Sequence, residues 1–234
     1  MTTPKAYIFD VFGTLVDWRE SVARECAHVF DTRGLDVDAR SFADAWRGEY
    51  QPAMERIRSG GRGYIALDDL HLENLDRVLA TFGLEAQFDN AERAALNRAW
   101  EKLDPWPDVV EGLNDLKEQA IIAPCSNGSI ALMTRLAKYG GLPWDCILGA
   151  EIAKNYKPER EVYLSNCAAL RLNPADVMMV AAHNDDLVAA RDAGLRTAFI
   201  ARPTEYGPGQ SKDLEPNSDW DRLVETIGGL AVTR

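Results

Sequence analysis

Ala6-Tyr7-Ile8-Phe9-Asp10-Val11-Phe12-Gly13-Thr14-Leu15, an apolar run halted by an aspartate and then a glycine, is the stretch that decides how this chain folds. Ala6 to Phe9 predict a buried strand, and Asp10 to Gly13 a tight turn at its carboxyl end. A carboxylate at that point is exposed at the strand end, where the following backbone N–H groups can orient it. The alternative is an aspartate that only makes the turn. The same pattern recurs along the chain. Ile121 to Pro124 runs into Ser126-Asn127-Gly128, and Val177 to Ala182 runs into His183-Asn184-Asp185-Asp186. Thr197 to Ala201 is a further strand, after a helix whose stop is Gly194. Strands alternating with helices predict a mostly parallel sheet covered on both faces. Ligands of such sheets gather beyond the carboxyl ends of the strands, at a switch point.

Between these strands the alternation stops. Val22, Cys26, Val29 and Phe30, then Phe42, Ala45 and Trp46, recur at helical spacing. Pro52 marks a helix break or kink, and Ser59-Gly60-Gly61-Arg62-Gly63 a turn. Asp104-Pro105-Trp106-Pro107 returns the chain to the sheet, with Pro107 expected to open the next helix. The expected fold class is therefore α/β: a Rossmann-like doubly wound parallel core from residues 1–16 and 103–234, with a helical cap subdomain inserted at 17–102. Gly207 to Ser218 reads as a surface loop.

Bulk properties narrow the function. The 234 residues suffice for a core plus an insertion, and 46% hydrophobic with 27% charged residues predicts a packed interior rather than disorder. No apolar run is long enough for a bilayer, and the opening MTTPKAY lacks the features of a signal peptide, so a cytoplasmic, non-membrane protein is expected. Four cysteines, Cys26, Cys125, Cys146 and Cys167, show no C-x-x-C pair and read as free buried thiols. A net charge of −11 argues against a nucleic acid partner. A small anion would need a local positive site set against that field.

Four segments together resemble the haloacid dehalogenase superfamily over nearly the full chain. Phe9 to Leu15 resembles its first motif, Ser126-Asn127 its second, Lys157-Pro158 its third, and Asp186 its fourth acidic position. Most members of the superfamily are phosphatases, which usually carry a second aspartate two residues after the nucleophile to protonate a leaving alkoxide. This chain has Phe12 there, either a core residue or the mark of a leaving group that needs no proton, such as a halide. Tyr163 after Lys157, and Trp46-Arg47 in the insertion, resemble the L-2-haloacid dehalogenases in particular.

That resemblance implies a metal-independent hydrolysis, without cofactor, of small 2-haloalkanoic acids to 2-hydroxy acids and halide. Asp10 would attack the halogen-bearing carbon, form an ester and invert the configuration at C2. Lys157 would hold Asp10 ionised, Thr14 and Ser126 would orient nucleophile and substrate carboxylate, and Asp186 would position the hydrolytic water. Arg47 would face the halide or the carboxylate, Asn127 would donate to the halide, and Phe12 and Tyr163 would line the site. Each has a plainer reading as cap, turn, surface or packing residue. Members of this class are often homodimers. The chain departs from the familiar pattern at Ala181 and His183, where Ser and Asn are expected, and at Asp185, where an aromatic is common. His183 is left with three readings: donor to a halide, base for a water, or partner of a backbone carbonyl. Two other functions stay open, a magnesium-dependent phosphatase using Asp10 with Asp185 or Asp186, and a non-catalytic binder of small acids.

Overall fold

The computed structural model describes residues 3–231. Strand β1 (Ala6–Phe9) is buried at every position, as expected of a strand covered on both faces. It leads through the turn at Gly13 into β2 (Val16–Asp17), whose Asp17 caps helix α1 (Trp18–Arg33) by accepting from the Glu20 N–H at 3.0 Å. Helices α2 (Ala39–Gly48), α3 (Tyr50–Arg58), α4 (Leu67–Thr81) and α5 (Asn90–Asn97) follow. Strand β3 (Asp104–Pro105) then pairs antiparallel with β2, so the helical segment leaves and re-enters the sheet domain through one two-stranded ribbon. Pro52 breaks nothing: the interruption falls at Glu49, and Pro52 lies in the first turn of α3, where a missing N–H is tolerated.

The alternation then resumes with α6 (Val109–Lys117), β4 (Ile121–Ser126), α7 (Ile130–Gly140), β5 (Leu148–Gly149), α8 (Ala150–Ala153) and α9 (Arg160–Ala169). It finishes with β6 (Val177–Ala181), α10 (Asn184–Asp192), β7 (Arg196–Ile200) and β8 (Arg222–Val224). Helix α6 opens at Val109, two residues beyond Pro107, after a turn in which the Val109 N–H reaches the Trp106 carbonyl. Pro124 does not end β4. Strand β5 joins only at Cys125 and Ser126, so the outer edge at Pro124 carries no ladder for a missing N–H to break. After α10, Gly194 takes a positive φ of 93° and its N–H returns to the Arg191 carbonyl at 2.8 Å.

The sheet order is β5-β4-β1-β6-β7-β8, and all its pairings are parallel. Crossovers from β1 therefore run outward both ways, and the switch point falls at the carboxyl end of β1, beside Asp10. Three tryptophans, Trp18, Trp46 and Trp100, are almost fully buried and pack together in the helical segment. Among the described residues no helix is long and apolar enough to cross a membrane. Burial raises the thiol pKa of Cys26 to about 12 and of Cys167 to about 11, which suits inert packing residues.

Helix α6 lies so close to the C-terminal turn at Ile227–Leu230 that a Cβ on Gly112 would meet the Gly228 nitrogen at 2.4 Å and the Ile227 Cβ at 2.8 Å. Backbone cannot yield as a side chain can. Gly112→Ala should lower unfolding free energy by about 1–3 kcal/mol, visible as an earlier urea midpoint. An unchanged midpoint would show that this contact has slack.

Candidate active site

The turn after β1 carries the first group of the site. Gly13 has a positive φ of 87°, its N–H bonds to the Val16 carbonyl at 3.1 Å, and the Leu15 N–H returns to Val11 at 2.9 Å. This tight loop leaves Asp10 in the wall of an open cleft of about 420 Å³ between the sheet ends and the helical segment. Asp10 is 7% exposed. Its Oδ2 accepts from Thr14 Oγ1 at 2.7 Å and from His183 Nδ1 at 3.0 Å; its Oδ1 accepts from Lys157 Nζ at 2.9 Å. The Ala182 N–H donates to Thr14 Oγ1 at 2.9 Å, which leaves that hydroxyl to donate its proton to Asp10. Burial alone would raise the Asp10 pKa, but the Lys157 and His183 cations and these hydrogen bonds outweigh it and hold the carboxyl far below its ordinary range.

Lys157 is the hub. Its Nζ reaches Asp186 Oδ2 at 2.5 Å as well as Asp10, and both its backbone ends are fixed. The Lys157 N–H donates to Asn127 Oδ1 at 2.8 Å, and its carbonyl accepts from Arg58 Nη1 at 2.9 Å. Burial opposes the charge on Lys157, yet the two carboxylates raise its pKa above normal. Asp186 is shifted up, mainly by burial and against the pull of Lys157. Tyr163 Oη donates to Asp186 Oδ1 at 2.5 Å from behind, so Tyr163 is fully buried and supports Asp186 instead of lining the cavity. Ser126 also stays out of the cavity wall. It is fully buried, and its Oγ accepts from the Gly128 N–H at 3.0 Å, closing its own turn. Asn127 does line the cavity, and with Oδ1 spent on Lys157 its amide Nδ2 is the remaining donor.

Both nitrogens of His183 meet carboxylates, and neither meets a backbone carbonyl. Its Nδ1 faces Asp10, and its Nε2 faces Glu205, at 2.9 Å from Oε2 and 3.2 Å from Oε1. A ring bridging two carboxylates donates at both nitrogens, and only the imidazolium can. Burial disfavours that charge, but Glu205 and Asp10 raise the His183 pKa well above normal. With both nitrogens turned to carboxylates, the ring presents no free lone pair to a water.

The helical segment supplies the roof. Arg47 lines the cavity with its guanidinium carbon 4.0 Å from the Tyr50 ring centre and 6.0 Å from that of Phe12, and its buried Nη1 has no protein partner among the described residues. Phe12 also lines the cavity and is backed edge-on by His71 and Trp100. His71 stacks on Trp100 at 4.3 Å; burial first, and Arg47 second, hold it neutral.

Glu205, Tyr50, Tyr206 and Lys212 were not among the residues expected here. Glu205 had a legible signal, because it follows β7 and a parallel strand's carboxyl end is where ligands gather. The loop from Gly207 to Ser218 is largely exposed, as expected, but Lys212 and Asp213 turn back to form part of the cavity wall.

A family model described as a haloacid dehalogenase-like hydrolase matches residues 4–194. The (S)-2-haloacid dehalogenase 4A of Burkholderia cepacia is 32% identical over 208 residues, which cover 86% of this chain and 86% of that protein. Among solved structures, a defluorinating L-2-haloacid dehalogenase is 47% identical with a TM-score of 0.95, covering 97% of this chain and 93% of that one. Another L-2-haloacid dehalogenase is 44% identical with a TM-score of 0.94, covering 97% of each chain.

The depressed Asp10 pKa makes a stability prediction. A carboxyl whose folded pKa lies below its unfolded value of about 3.9 contributes stability above that value and loses it as pH falls. Wild type should therefore exceed Asp10→Asn in urea-unfolding free energy at pH 7, and the gap should narrow between about pH 5 and pH 2. A variant more stable than wild type at pH 7 would mean that the buried ion cluster is repulsive on balance.

Proposed function

We propose that this chain, which belongs to the haloacid dehalogenase-like hydrolase family, hydrolyses small (S)-2-haloalkanoic acids to 2-hydroxy acids and halide. One observation carries this reading: an ionised aspartate held in the cleft wall by two cations, with an aromatic ring, Phe12, where a proton donor would serve an alkoxide leaving group.

Asp10 Oδ1 has one donor and Oδ2 has two, so Oδ1 keeps more electron density and is the attacking oxygen. Its lone pair forms a bond to C2 from the face opposite the halogen, and the halide departs with the C–X bonding pair. A halide is a weak base and takes no proton, so its departure needs no general acid. Arg47 and the Asn127 amide supply positive charge and a donor for the halide and the substrate carboxylate, and Lys212 adds charge at the cavity wall. Water then adds to the Asp10 carbonyl carbon. One of its protons passes to Asp186, whose raised pKa suits it to a base, and is handed to the departing 2-hydroxy oxygen as the acyl–oxygen bond breaks. Asp10 is left as an acid and ionises, releasing one proton to solvent per turnover. C2 is attacked once, so its configuration inverts. Residues 17–102 act as the cap that closes over the substrate.

The wall around Phe12 bears on the choice of halogen. Asp185, where relatives often have an aromatic, adds a polar wall, and Phe12 is backed by the His71–Trp100 stack and cannot retreat. Small halogens fit this wall best, in keeping with the defluorinating relative.

Halide release from (S)-2-chloropropionate should be insensitive to chelator and produce the (R)-hydroxy acid, and Asp10→Asn should abolish it. A single turnover in heavy-oxygen water should place the isotope on Asp10. Chelator-sensitive hydrolysis of phosphate esters without halide release would overturn the reading. Fluoride release from fluoroacetate should be measurable at matched concentration; strong preference for bromide would refute the small-halogen reading.

A further inference from the structure

Glu205 takes no part in the steps above, yet it is 1% exposed and sits 2.9 Å from His183. Its surroundings are built to hold a carboxylate there. Trp18 Nε1 donates to Oε1 at 3.0 Å, so both neighbours of this side chain are donors. It packs so tightly on the catalytic turn that a Cβ on Gly13 would lie 2.0 Å from Oε1. Its loop is tied to the same turn, because the Glu205 N–H bonds to the Arg202 carbonyl at 3.2 Å and Arg202 Nε donates to the Thr14 carbonyl at 2.9 Å. Arg202 is itself gripped by both oxygens of Asp108, at 2.8 and 3.0 Å.

The consequence appears once Asp10 is esterified, so this inference rests on the reaction proposed above. With Oδ1 bonded to C2, Oδ2 is the ester carbonyl oxygen. Thr14 and His183 then both donate to it, from the positions they already hold at 2.7 and 3.0 Å. When water adds to the carbonyl carbon, the π pair moves onto Oδ2, and that oxyanion meets one neutral and one cationic donor fixed in advance. We propose that Thr14 and His183 form the oxyanion site for hydrolysis of the Asp10 ester, and that Glu205 is the positioning residue that keeps His183 a donor at both nitrogens with its ring aimed at Oδ2. The pair assists the second chemical step and not the first. During halide displacement, donors on Oδ2 only withdraw density from the nucleophile.

Glu205→Gln keeps the shape and an acceptor but removes the charge. Rapid-quench single turnovers with (S)-2-chloropropionate, read by halide release and by mass spectrometry of the Asp10 peptide, separate the two steps. Halide release should stay within about twofold of wild type, while ester breakdown slows by about 10- to 100-fold, so that ester accumulates. Thr14→Val, which removes the other donor, should slow the same step. Nitrogen-15 NMR of wild type should show both His183 nitrogens protonated at pH 7.5, and Glu205→Gln should lose the Nε2 proton. This wild-type spectrum bears on the proposal even if a variant fails to fold. A neutral ring in wild type overturns the inference, as does an equal slowing of both steps or ester breakdown that neither variant slows. If wild type forms no ester on Asp10, the proposed reaction falls, and this inference with it.

Discussion

Everything at the carboxyl edge of this sheet is arranged around one ammonium group. Lys157 Nζ lies between Asp10 and Asp186, and neither carboxylate could sit buried beside the other without it. Breaking such a cluster by removing one partner is expensive, so the structure fixes the lysine from both sides of its backbone. Asn127, at the end of β4, takes its N–H, and Arg58, from α3, takes its carbonyl. A second cation, His183, is held by the same logic between Asp10 and Glu205. Lys157, His183 and Arg47 are matched in number by Asp10, Asp186 and Glu205, so in a chain of net charge −11 the site would receive an anion through directed donors and not through a net positive field.

Much of this was legible in the sequence. Apolar runs stopped by polar residues located β1, β4, β6 and β7, and parallel pairing put their polar ends on one edge. Asp10, Thr14, Lys157 and Asp186 do meet there, as four short motifs in register implied, and His183, a departure from that pattern, joins them. Helix boundaries were less legible, because Pro52 and Pro107 were read as punctuation when one sits inside a first turn and the other two residues short of a helix.

What stayed hidden has a common physical cause. Glu205 and Tyr206 lie between β7 and the exposed loop, marked only by following a strand end, and Tyr50 and His71 belong to no motif. Their proximity to Asp10 follows from how the helical segment and the last loops fold over the strand ends. Periodicity does not encode that placement. Ser126 and Tyr163 show the converse error. Both were expected to face substrate, but Ser126 closes its own turn and Tyr163 stands behind Asp186. Motif spacing identifies a neighbourhood; it does not say which side of a carboxylate a hydroxyl approaches.

The Arg58 contact also bears on what holds the helical segment in place. Arg58 grips the Lys157 carbonyl from the helical segment, and Tyr156, the residue before Lys157, donates through its hydroxyl to the Ile65 carbonyl at 2.6 Å. The roof is thus stitched to the very loop that presents the ammonium. Two hydrogen bonds from one short loop therefore do double duty, seating the helices above the cavity and steadying the backbone that carries the ammonium.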